Sequence, residues 1–135
     1  MTRYLLDTGI TSDFINRRHD VYETAMEAIR RGDRVGTTFI VLAELRAGIE
    51  YSESRERNLQ ILNRALPALT VWPFENNAAL VYGRLWADLK KRGELIPQND
   101  TQIAAIALSL GNCVVVTKDS DFQVVSGLKV EDWSV

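Results

Sequence analysis

An α/β fold in three layers, with helices on both faces of a parallel sheet of four to five short strands, is what this sequence predicts. Short apolar runs alternate along the chain with longer segments of helical periodicity. Runs such as Val114-Val115-Val116 are apolar at consecutive rather than alternate positions, the mark of strands buried on both faces. No repeat, low-complexity stretch or Pro/Gly/Ser-rich linker divides the 135 residues, so 1–135 reads as a single domain.

The elements follow in order. Tyr4-Leu5-Leu6 is the first strand, and Thr11 or Ser12 offers an N-cap for a short helix through Phe14 and Ile15. Val21, Ala25, Ala28 and Ile29 lie at helical spacing in a segment from Val21 to Arg31, which Gly32-Asp33 ends. Arg34-Val35-Gly36-Thr37 reads as the second strand. Thr38 then caps a helix from Phe39 to Ile49 that carries Glu44 near its middle. Leu59, Leu62 and Leu66 share a face of a helix from Glu53 to Leu66, stopped by Pro67. Leu69 to Trp72 is the third strand, ended by Pro73. Asn76 or Asn77 caps a long helix with Ala78, Val81, Leu85 and Leu89 in register, running to Gly93. After the loop Glu94 to Asn99, a helix from Asp100 to Leu110 places Ile103, Ala107 and Leu110 on one stripe, and Gly111 ends it. Val114 to Val116 is the clearest strand, and Leu128-Lys129-Val130 adds an edge strand.

Composition narrows the class. Hydrophobic residues make up 46% and charged ones 25%, enough for a buried core with a solvated surface. The longest apolar runs are too short to span a bilayer, and the N-terminus enters a strand rather than a signal peptide. The single cysteine, Cys113, cannot form an internal disulfide and reads as a buried thiol, which fits a reducing cytoplasm. A net charge of -2 argues against gripping nucleic acid through bulk positive charge. Setting aside the four acids discussed next leaves a balance of +2, however, so local basic surface around residues such as Arg17, Arg18 and Arg46 remains open.

Asp7, Glu44, Asp100 and Asp119 each sit where an apolar strand ends or on the helix or loop that follows. In an open α/β sheet the carboxyl ends of the strands share one edge, and ligands bind in the crevice there. Acids distant in sequence therefore meet, and crowded carboxylates repel one another unless a cation compensates them. Oxygen donors without cysteine or histidine suit magnesium, with manganese able to substitute, and argue against zinc. His19 lies in the polar stretch Asn16 to Asp20 and reads as a solvated loop residue, which leaves no Ser-His-Asp chemistry. No phosphate loop or dinucleotide-binding turn is present. What remains is metal-assisted attack of water on a phosphodiester. Asp7 and Asp100 read as direct ligands, and Glu44 as a ligand through water or an orienter of the nucleophile. Thr8 and Thr117 read as partners of the carboxylates or of a phosphate. Each acid also has a plain role: Asp7 and Asp100 as N-caps, Glu44 as a helix charge, Asp119 and Asp121 as turn formers.

Leu6-Asp7-Thr8, Ala43-Glu44-Leu45-Arg46-Ala47-Gly48, Asp100 to Ala105, Val116-Thr117-Lys118-Asp119 and the ending Gly127 to Trp133 together resemble the PIN-domain ribonucleases, most closely VapC-type toxins. The resemblance covers essentially the whole chain. It implies a magnesium-dependent endoribonuclease that arrests translation, an antitoxin whose C-terminal segment blocks the active-site groove, and a homodimer. It places the family's acids on Asp7, Glu44 and Asp100, with a more variable fourth on Asp119 and Asp121 as runner-up. Gly9 stands where that family usually has Asn, and the loop Thr117 to Phe122 is shorter than its common form. Two other readings stand beside it: an inactive PIN fold that only binds protein, and a phospho-acceptor module. The third strand, ending at Trp72-Pro73, lacks the aspartate that a phospho-acceptor module requires. Trp86, Tyr82, Tyr51 and Phe74 are candidates for a docking surface, or for ordinary core packing.

Overall fold

A computed structural model describes residues 1–135 as five strands and six α-helices. Strand β1 (Arg3–Leu6) leads into α1 (Thr8–Ile15) and α2 (Val21–Arg30), and β2 (Arg34–Thr38) into α3 (Phe39–Tyr51) and α4 (Arg55–Ala65). Strand β3 (Thr70–Trp72) leads into α5 (Asn76–Lys91) and α6 (Gln98–Leu110). Strand β4 (Cys113–Val116) connects through a 3₁₀ turn (Ser120–Val124) to β5 (Lys129–Glu131). Every pairing is parallel, in the order β3-β2-β1-β4-β5. β1 is thus central, with Arg3 in register with both Arg34 and Cys113.

Successive strand residues feed opposite cores. Leu5 and Val115 join Leu85, Leu89, Ile103, Ile106 and Phe122 under α5 and α6. Leu6, Val114 and Val116 join Ile10, Phe14, Val21 and Ala25 under α1 and α2. Because both faces are covered, apolar side chains are favoured at both parities of β1 and β4, and their consecutive apolar runs follow. A smaller cluster of Leu42, Ile49 and Leu62 binds α3 to α4. The buried hydroxyls of Thr11 and Thr37 each donate to the Leu6 carbonyl at 3.1 Å, so their burial leaves no orphaned group. β2 approaches β3 so closely that a Cβ on Gly36 would lie 2.2 Å from the Thr70 carbonyl oxygen.

Helix starts are where structure and sequence expectation part. α1 begins at Thr8, not at a cap on Thr11 or Ser12, because the Asp7 carboxylate accepts from the Ile10 amide and closes the first turn directly after β1. α4 begins at Arg55 rather than Glu53, and Pro67 falls inside a 3₁₀ turn spanning Leu66–Ala68. α5 is preceded by Glu75, so Asn76 and Asn77 lie within its first turn instead of capping it. α6 begins at Gln98 behind Pro97, which moves Asp100 from the capping position into the first turn. Thr38 caps α3 by accepting from the Ile40 amide at 3.3 Å.

Of the four aromatic residues considered for docking, Tyr51 is 94% exposed and Trp86 40%. Phe74 and Tyr82 instead pack edge to face, with centroids 6.2 Å apart. Cys113 is buried, which pushes its thiol up to about 11. No helix is long and apolar enough to cross a membrane.

A candidate metal centre at the carboxyl edge of the sheet

The site is assembled where β1 and β4 run out side by side. The Asp7 amide donates to the Val116 carbonyl at 3.1 Å, and the Thr117 amide to the Glu131 carbonyl at 2.8 Å, so pairing extends just past the strands. Asp7 and Thr117 emerge as neighbours. The Thr117 hydroxyl donates to Asp7 Oδ2 and accepts from the Asp119 amide at 2.9 Å. Asp119 Oδ1 in turn accepts from the Asp121 amide at 2.9 Å, capping the 3₁₀ turn. The other Asp7 oxygen is held by the Ile10 amide at 3.0 Å. One chain of hydrogen bonds thus orders Asp7, Thr117, Asp119 and Asp121. Thr8 makes no comparable side-chain bond.

The helices deliver the remaining acids. Asp100 comes from the first turn of α6 and Glu44 from α3, where Asn99 Nδ2 donates to Glu44 Oε1 at 3.1 Å. Carboxylate oxygens of Asp100, Asp119 and Asp121 all lie within 4.8 Å of one another. Asp7 and Glu44 stand outside that tight group, yet their charges reach Asp100. The structure therefore brings Asp100, Asp119 and Asp121 together, with Asp7 linked to Asp119 through Thr117 and Glu44 on the neighbouring helix α3.

Electrostatics record the crowding. Burial, then repulsion from Asp119, Asp7, Asp121 and Glu44, raises the Asp100 carboxyl from an ordinary 3.8 to about 6. Burial also raises Asp7, against the hydrogen bonds from Thr117 and Ile10 that favour its ionised form. A hard divalent cation is what such an oxygen-only set accommodates, since it neutralises charge and accepts carboxylate oxygens. One test follows from linkage. Asp100 binds its proton more tightly in the folded chain than in the unfolded one, so metal-free stability declines as pH rises from about 4 to about 6. In chelator, the melting temperature at pH 5 is expected to exceed that at pH 7.5, with Mn²⁺ narrowing the difference at the higher pH. No difference between the two pH values would refute the crowding.

Sequence reasoning missed Asp13. Its side chain is only 4% exposed, and its carboxylate is approached by Lys118 Nζ at 3.4 Å and His19 Nδ1 at 3.3 Å. His19 is therefore half-exposed but not merely solvated, because its ring is engaged by this acid. An aspartate between Ser12 and Phe14 on a helix carries no local signal of burial. Its only hint is the three-residue spacing from Ile10 on the buried side of α1.

Comparison with known proteins agrees with this architecture. The PIN domain family model matches residues 4–128. The chain is 35% identical to "Ribonuclease VapC2" of Haemophilus influenzae, over 98% of this chain and 99% of that protein. It is 29% identical to the "tRNA(fMet)-specific endonuclease VapC" of Shigella flexneri, over 99% of this chain and 100% of that one. Among solved structures, VapBC2 from Rickettsia felis, bound to a DNA fragment from its promoter, superimposes with a TM-score of 0.89 at 31% identity, covering 98% of this chain and 99% of that one. The parallel five-stranded sheet, the acids at its carboxyl edge and these full-length likenesses lead to one assignment: the chain belongs to the PIN-domain family, among the VapC ribonucleases.

Proposed function

We propose that this VapC ribonuclease is a magnesium-dependent endoribonuclease whose active site comprises Asp7, Glu44, Asp100 and Asp119, with Asp121 beside them. The observation that carries the reading is the meeting of Asp100 from α6 with Asp119 and Asp121 from the loop after β4, beside Asp7 at the end of β1. A divalent cation bound there supplies activation of the attacking water and neutralisation of phosphate charge. Asp100, Asp119 and Asp121 offer the closest set of oxygens to hold it. Asp7, with both oxygens fixed by Thr117 and Ile10, presents its carboxylate in one orientation. Glu44, whose Oε1 accepts from Asn99, would orient the attacking water.

Glu44 also lines a cleft of about 300 Å³ together with Ser12, Arg18 and Asn58. Through Ile15, Asn16 and Ile61 it continues into one of about 440 Å³ containing Arg17, Arg57 and Arg64. None of these four arginines is paired with an acid. A cationic track leading to the acids suits the phosphates of an RNA strand, whatever the net charge of the chain.

In this reading the chain is the toxin of a toxin–antitoxin pair, held inactive by a cognate antitoxin laid across this edge. It is cytoplasmic and dimeric. Solved relatives that are VapBC complexes support the partner. The test uses purified transfer RNA, chosen because a relative bears the name tRNA(fMet)-specific endonuclease. Cleavage is expected with Mg²⁺ and none in chelator. Cutting that survives chelation rules the mechanism out.

A further inference from the structure

We infer that Lys118 is a positioning residue for the metal centre, a brace that ties the acid-bearing loop after β4 to helix α1 through Asp13. The inference rests on the nuclease reading of the same site. Lys118 lies between Thr117, which grips Asp7, and Asp119, which belongs to the tight carboxylate group. Its side chain crosses the first turn of α1 at Gly9, where an added Cβ would lie 3.7 Å from Lys118 Cε and 3.9 Å from Asp7 Oδ1. Beyond Gly9 the ammonium reaches Asp13 Oδ2 at 3.4 Å.

A half-exposed lysine paired with a surface acid would contribute little. Asp13 is not such an acid. With 4% of its side chain exposed, its charge needs partners, and Lys118 and His19 are its two ion-pair contacts. His19 sits in a loop where Arg17, His19 and Asp20 adopt φ of 54°, 58° and 58°, a left-handed backbone that persists only where surrounding contacts hold it. Asp13 is thus the junction of three segments: α1, which carries the Asp7 cap; the strained loop of residues 16–20; and the loop of residues 117–121. The Lys118 ammonium also stands near enough to Asp7 to act on its carboxylate. Charge alone and bracing make opposite predictions. As a bare counter-charge, Lys118 would weaken cation binding. As a brace, it holds Asp7 and Asp119 at a fixed separation and strengthens binding.

The experiment uses the full chain with Mn²⁺ as probe, followed by electron paramagnetic resonance, and hydrogen exchange on the metal-free protein. Lys118→Met keeps the alkyl stem and removes the ammonium. It is expected to raise the Mn²⁺ dissociation constant about tenfold, as loss of a supporting contact does, and to speed exchange at the Asp119 and Asp121 amides. Lys118→Arg should restore both. Tighter or unchanged Mn²⁺ binding in Lys118→Met overturns the brace, as does unchanged amide exchange. A wild-type chain that neither binds Mn²⁺ nor cuts RNA overturns the nuclease reading instead, and the exchange result still decides the brace.

Discussion

Replacing Asp100 by Asn is expected to cost at least about a hundredfold in RNA cleavage while raising the melting temperature of the metal-free chain. The first effect follows from its place at the centre of the acids. Loss of residues that merely support a ligand weakens metal sites 10- to 100-fold or so, and Asp100 is proposed as a ligand itself. The second follows from repulsion. Asp100 is the acid on which Asp119, Asp7, Asp121 and Glu44 all act unfavourably, so a neutral amide of the same shape relieves the strain among them. The same substitution should flatten the fall in stability between about pH 4 and about pH 6, because the group responsible no longer titrates. Steady-state cleavage and melting curves in chelator read the two effects separately. A variant that loses activity and stability together would point to a misfolded chain rather than an emptied metal site.

The second large effect lies away from the chemistry. Gly36→Ala should destabilise the fold by about 3 kcal/mol, the upper end of what overpacking usually costs. The new Cβ would meet the Thr70 carbonyl oxygen at 2.2 Å and the Trp72 ring at 2.8 Å. The first neighbour is backbone in the paired strand β3, so no side-chain rotation relieves the contact. The strands themselves must separate where Gly36 pairs with Thr70. In a chain of this size such a loss corresponds to a drop in melting temperature of roughly 10 °C. A change of less than a degree would show that β2 and β3 part more easily than their packing implies.

These two positions mark what the sequence does and does not disclose. Strands β1 and β4 were legible because burial on both faces forces consecutive apolar residues, a pattern needing no knowledge of the partner. That acids distant in the chain would meet at one edge was legible too, since parallel strands deliver their carboxyl ends there, and Asp100 and Asp119 do meet. Helix starts were harder. Asp7 both ends β1 and caps α1, and a residue with two roles hides the boundary between them. Gly36 reads as an ordinary weak spot in a strand, because the Thr70 carbonyl that forbids a side chain is 34 residues further on. Asp13, Lys118 and His19 escaped for the same reason. An acid on a helix and a lysine after a strand look solvated until the fold brings residues 105 positions apart together.

The central place of β1 has a consequence for the life of the polypeptide. Its first strand waits for β4, and the bond from Thr117 to Asp7 closes across 110 positions. Three of the five acids also lie beyond residue 99. A chain grown only as far as α5 therefore holds Asp7 and Glu44 without their companions. Only when α6, β4 and the turn after it have folded back beside β1 do Asp100, Asp119 and Asp121 stand together next to Asp7, so the acid cluster is among the last features of the fold to form.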